Sequence, residues 1–127
     1  MNPVICDTNI FVHFFIGHSS TVAEIQKIGE SNVLLPAVVY MEILRGSADR
    51  KAQMIVESRM KRYSMLYINE PISTKAIELI ELYHLSHGLK VPDALIAATA
   101  LIHNQEFFTY NLKDFRYIPG IRLYQPV

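Results

Sequence analysis

The feature that most restricts this chain is a three-residue apolar run, Val4-Ile5-Cys6, that stops on a carboxylate, Asp7, with apolar residues resuming at Ile10. A short run without polar alternation reads as a strand buried on both faces, as in a parallel sheet, and the Asp-Thr-Asn step reads as the turn into a helix. In open α/β sheets the ligand crevice lies beyond the carboxyl ends of the strands, which makes Asp7 a candidate site residue. Asp7 or Thr8 also suits the N-cap of the following helix.

The rest of the chain repeats this alternation. A short apolar helix over residues 9 to 16 ends at Gly17, and Ser19, Ser20 or Thr21 can cap a second helix carrying Val22, Ile25 and Ile28. Val33-Leu34-Leu35 before Pro36 forms a second strand, and residues 38 to 44 form an apolar helix whose one charge is Glu42. Residues 48 to 62 are a basic amphipathic stretch, and Leu66-Tyr67-Ile68 reads as a third strand. A helix starting at Ser73 or Thr74 closes at Gly88, and Pro92 opens a helix over residues 93 to 102 that is apolar nearly all round after Asp93. Phe107-Phe108-Thr109 is a fourth strand, followed by Asn111 and Asp114 in a polar turn. Arg122-Leu123-Tyr124, after the Pro119-Gly120 turn, is a last edge strand. Short strands alternating with helices predict an α/β fold with a mainly parallel sheet.

At 127 residues the chain fits a single domain spanning 1–127, and 50% hydrophobic against 19% charged residues argues for a compact core over disorder. The lone Cys6 lies within the first strand, so no internal disulfide forms and the thiol is expected to be buried and inert. Asp7, Asn9 and His13 interrupt the N-terminal apolar run, so neither a signal peptide nor a membrane span is expected, and the chain reads as cytoplasmic. Net charge is zero, from 12 Lys and Arg against 12 Asp and Glu. Six of the basic residues, Arg45, Arg50, Lys51, Arg59, Lys61 and Arg62, nevertheless fall within one eighteen-residue stretch. That stretch reads by itself as a solvated helix face.

Four carboxylates stand out. Asp7 and Asp114 follow two strands and emerge at one end of the sheet if those strands are parallel neighbours. Glu42 and Asp93 are each the sole acid of an apolar helical segment, where a lone carboxylate needs a partner, a proton or a cation. Arg45 is in i, i+3 reach of Glu42, Asp93 suits the first turn of its helix, and Asp114 suits a turn. Taken together, an all-oxygen set without Cys or His partners suits a hard cation, Mg²⁺ or Mn²⁺, one or two per site. Such ions activate water for attack on phosphorus. Two of them would bring the working charge to about +4 and make a neutral chain compatible with an anionic substrate.

The opening Asp7-Thr8-Asn9, Glu42 within VVYMEIL, PDALIAATA around Asp93, and FFTYNLKDF followed by IPGIRL together resemble the PIN domain, and most of all the VapC-type toxins of bacterial toxin–antitoxin pairs. The resemblance runs from residue 3 to residue 125. It implies a three-layer α/β/α fold with a five-stranded parallel sheet between helices. It also implies a ribonuclease that needs Mg²⁺ or Mn²⁺, with Asp7, Glu42, Asp93 and Asp114 as its acidic quartet. Thr8, Asn9, Thr109 and Asn111 match the family's supporting positions, Asn111 orienting the site by hydrogen bonds. Homodimers and inhibition by a VapB-type antitoxin are further implications.

The five histidines show no metal-ligand spacing tied to a second ligand class. Most Met and Tyr residues read as core or subunit contact, with Tyr110, beside the site, as the exception. No Gly-rich phosphate loop is present. An aspartyl phosphatase would want an acid two residues after Asp7, where Asn9 stands, and a receiver-type phosphoacceptor would want paired acids at the end of the first strand. A catalytically inactive PIN-like binding protein is the remaining alternative.

Overall fold

The computed structural model describes residues 2–126. β1 (Val4–Cys6) leads into α1 (Thr8–Phe15) and α2 (Ser19–Ile28), and a short 3-10 turn (Glu30–Asn32) precedes β2 (Val33–Pro36). Then come α3 (Ala37–Arg45), α4 (Arg50–Met60), β3 (Ser64–Leu66), α5 (Glu70–His87), α6 (Val91–His103), β4 (Glu106–Phe108) and α7 (Leu112–Phe115). The strands form one parallel sheet in the order β3-β2-β1-β4, flanked by the helices.

β1 is central. Val4 and Ile5 pair with Val33 and Leu34 on one side, and Val4, Ile5 and Cys6 pair with Glu106, Phe107 and Phe108 on the other. All three β1 side chains are buried, as the unbroken apolar run requires. Phe107 and Phe115 meet edge to face at 4.8 Å between centroids and anchor the core beneath β4. α6 buries Ala94, Ile96, Ala97, Ala98, Thr99 and Ala100, and packs along α5. Its small residues let the backbones approach, and the Thr99 hydroxyl is satisfied by the Leu95 carbonyl at 2.7 Å.

Two expectations are corrected. The sheet has four strands, not five: residues 122–124 reach β4 through a single parallel bridge, Leu123 to Phe107. Phe107 N–H donates to the Arg122 carbonyl at 2.7 Å and Tyr124 N–H to the Phe107 carbonyl at 2.8 Å, where a fifth strand would lie. The third strand runs over Ser64–Leu66, earlier than residues 66 to 68, because buried Met60 and Tyr63 fix the end of α4 and leave Tyr67 and Ile68 exposed. No helix among the described residues is long and apolar enough to cross a membrane.

Candidate active site

A parallel sheet delivers the residues after each strand to one edge. Asp7, after β1, lies beside Thr109, after β4, because Asp7 N–H donates to the Phe108 carbonyl at 2.9 Å in continuation of the ladder. The carboxylate is only 5% exposed. Its Oδ1 accepts from Thr8 N–H at 2.8 Å, capping α1, and its Oδ2 accepts from the Thr109 hydroxyl at 2.7 Å. The cap reading of Asp7 is thus met, and the same side chain faces the cavity at the end of the sheet. Thr109 Oγ1 in turn accepts from Asn111 N–H at 3.0 Å, so Asn111 supports the site through its backbone.

Glu42 reaches the same edge from α3. Its Oε1 accepts from the Thr8 hydroxyl at 2.6 Å. Arg45, in i, i+3 reach, makes no ion pair with Glu42: Arg45 ends α3, exposed, where a cation suits the helix C-terminus. Asp93 stands in the first turn of α6, half-buried, and Asp114 stands on the short helix α7, exposed. Asp7, Thr8, Asn9, Glu42, Asp93 and Asn111 line one cavity of about 280 Å³, together with Val12 and His13. Asp93 and Asp114 line an adjoining cavity of about 430 Å³ with Lys113 and Arg116. Asp93 lines both, so the four acids border two cavities that meet at this carboxylate.

Electrostatics tie the acids together. Burial pushes the Asp7 carboxyl above the ordinary range, the Thr109 and Thr8 hydrogen bonds oppose this, and the charges of Glu42 and Asp114 add to it. Asp93 is pushed up to about 6 by burial first, then by Asp7, Asp114 and Glu42, against the pull of Lys90. Burial, aided by the Asp7 charge, also pushes the Cys6 thiol far up, leaving it inert.

Among the described residues no group of three or more His, Cys, Asp or Glu side chains is set to hold a metal ion by itself. The acids are spread along a cleft instead of closing a cage. Mg²⁺ and Mn²⁺ do not require such a cage, since they keep several waters and take one or two carboxylates plus substrate phosphate. The donors are all oxygen, and Asn9 Oδ1 on the cleft wall is buried without a hydrogen-bond partner. The residues therefore fit a hydrated hard cation.

The basic stretch divides. Arg59 lies over the Phe15 ring at 5.0 Å and donates to the Phe15 carbonyl, and Arg62 pairs with Glu30 at 3.2 Å. Arg45, Arg50, Lys51 and Lys61 are exposed. Sequence reasoning missed Lys113 and Arg116, which flank Asp114 in the NLKDFR segment and line the cleft, and His13, whose ring stands edge-on to Tyr110 at 5.2 Å. Tyr110 itself is held by a hydrogen bond between its hydroxyl and Thr21.

Among solved structures, the chain is similar to a toxin–antitoxin complex from Klebsiella pneumoniae, with 26% identity, a TM-score of 0.80 and 98% of each chain covered. It is also similar to FitAcB from Neisseria gonorrhoeae, at 21% identity and TM-score 0.78 over 97% of each chain. DNA-bound VapBC from Salmonella typhimurium matches at 21% identity and TM-score 0.81 over 98% of each chain. A comparison with curated proteins returns no significant match. The profile of the PIN domain matches residues 4–121, a span that includes β1 through α7 and all four clefted acids, and the chain belongs to the PIN domain family.

Proposed function

We propose that this protein is the toxin of a VapBC-type toxin–antitoxin pair, a metal-dependent endoribonuclease that acts in the cytoplasm. The observation that carries the reading is the convergence of Asp7, Glu42, Asp93 and Asp114, from four separate elements, on two cavities that meet at Asp93, with Asp7, Glu42 and Asp114 all raising the proton affinity of Asp93 and Glu42 and Asp114 that of Asp7. Like charges gathered at this cost are a reason to bind cations. The relatives seen in toxin–antitoxin complexes support the toxin assignment and a VapB-type antitoxin as partner. A homodimer is the expected assembly.

In this reading Asp7, Glu42, Asp93 and Asp114 hold one or two Mg²⁺ or Mn²⁺ ions, Asp114 from the open side. When bound, the ion lowers the pKa of water and offsets charge developing on the phosphodiester. The chain's own residues set the geometry. Thr109 and Thr8 fix both oxygens of Asp7 and so leave its remaining lone pairs directed by the fold. Thr8 also fixes Glu42, and Asn9 offers an unpaired oxygen. Exposed Arg45, Arg50, Lys51 and Lys61, with Arg59 and Arg62, supply cationic surface for the RNA backbone.

The test is cleavage of total RNA by purified, antitoxin-free protein with Mg²⁺ or Mn²⁺ and with chelator, beside Asp93→Asn. Metal-dependent cuts leaving 5′-phosphate and 3′-hydroxyl ends, absent in the variant, are expected. A folded, metal-binding protein that cuts no RNA under any of these conditions would shift the assignment to an inactive PIN-like binder or a phosphoacceptor.

A further inference from the structure

The larger of the two cavities that meet at Asp93 carries features that phosphodiester hydrolysis alone does not require. α5 ends at Gly88, whose φ of +66° turns the chain back toward α6 and brings His87 to the cavity that Asp93 lines. On the other wall, α7 and the residues after it supply Lys113, Asp114, Arg116 and Tyr117. Lys113 and Arg116 are three apart, at the spacing that puts side chains on one helix face. The Tyr117 and His87 rings lie face to face, 3.9 Å between centroids and 11° from parallel, and Tyr83 braces Tyr117 edge-on at 5.2 Å. The volume, about 430 Å³, suits a small organic ligand.

Two cations beside a braced stack of flat rings match the two halves of a nucleotide, an anionic phosphate and a planar base. The same cavity is lined by two of the four acids, Asp93 and Asp114, so a nucleotide seated here lies next to the proposed place of cleavage. We propose that this cavity is a subsite for one unpaired nucleotide adjoining the scissile phosphate, with Lys113 and Arg116 on its phosphate and the His87–Tyr117 pair against its base. The subsite rests on the ribonuclease reading and adds a preference to it: the RNA is single-stranded at this position, because a paired base would first have to be unpaired and unstacked, at a cost in free energy, to reach the rings.

The experiment is equilibrium binding of a short single-stranded RNA bearing one 2-aminopurine and phosphorothioate linkages that resist cleavage, in Mg²⁺, to the full chain and its variants. Wild-type protein is expected to quench the 2-aminopurine. His87→Ala and Tyr117→Leu weaken binding roughly tenfold and lose the quench, the order of one base stack, and Tyr117→Phe, which keeps the ring, restores both. Because Tyr117 is half-buried and its loss can unsettle α7, exposed His87 provides the independent variant. Lys113→Gln with Arg116→Gln lowers the slope of log affinity against log salt by about 0.7 for each phosphate that is no longer neutralised. Folded variants that bind with unchanged affinity, quench and salt slope overturn the subsite, while metal-dependent cleavage of RNA by the wild type leaves the nuclease reading standing. A wild type that neither binds nor cuts any RNA overturns both.

Discussion

The Thr109 hydroxyl donates to Asp7 Oδ2 at 2.7 Å across 102 residues of sequence, joining the ends of β4 and β1 at the buried centre of the site. The bond holds a carboxylate that burial and neighbouring charges disfavour. Thr109→Val removes the donor at constant shape and is expected to cost about 1–3 kcal/mol in denaturant unfolding, with a larger proportional loss of nuclease activity. Thr109→Ser should behave nearly as wild type. A valine variant of unchanged stability and activity would mean that the hydroxyl only fills space.

Repulsion among the acids makes itself felt in the protein without metal. Asp93→Asn removes one charge from the cleft and should raise the melting temperature in chelator at pH 7 by a few degrees, on the order of 1 kcal/mol once solvent screening at this half-open position is allowed for. Mg²⁺ at a hundred times its Kd should add about 2.7 kcal/mol to the wild type and less to the variant. Equal responses to Mg²⁺ would remove Asp93 from the ligand set.

The pH dependence has a definite sign. Asp93 in the folded protein titrates at about 6, above its ordinary 3.8, so the folded state keeps a proton that the unfolded chain has already released. Stability from this group is therefore full below about pH 4, falls as pH rises to about 6, and stays low above. Unfolding of the chelated wild type and of Asp93→Asn across roughly pH 4 to 7 should show a larger fall in the wild type, the part that remains in the variant belonging to Asp7. Burial raises Asp7 in the same direction and deepens the effect.

Charge reversal in the basic stretch should separate binding from folding. Lys51→Glu with Lys61→Glu, at two exposed positions, should reduce RNA affinity and flatten its salt dependence without changing the melting temperature. Arg62→Glu should instead destabilise the fold, because it replaces an ion pair with Glu30 by repulsion. RNA affinity unaltered by the double substitution would confine backbone contacts to other surfaces.

Much of this architecture is legible in the chain because its strands are buried on both faces and its helices carry clear stops. Val4-Ile5-Cys6 and Phe107-Phe108 have no polar alternation, and Gly88 ends α5 as expected. The acids were legible for the same reason: Glu42 and Asp93 are charges set into apolar helices. What the sequence did not reveal depends on distance. The Thr8–Glu42 and Thr109–Asp7 bonds span 34 and 102 residues, and no local pattern encodes them. His13, Lys113 and Arg116 look like ordinary surface residues until the helices that carry them are docked. The fifth strand failed because apolar residues at 122–124 show strand propensity but not how many ladder pairs they go on to make with β4.

The reach of the Thr109–Asp7 bond also bears on biosynthesis. A nascent chain interrupted before residue 109 carries at most three of the four acids and lacks the hydroxyl that secures the first of them. Domains form as units during synthesis, and here the parallel pairing of β1 with β4 waits for the end of the chain. The acidic cleft of this PIN domain thus stays unassembled until nearly the whole chain has been made.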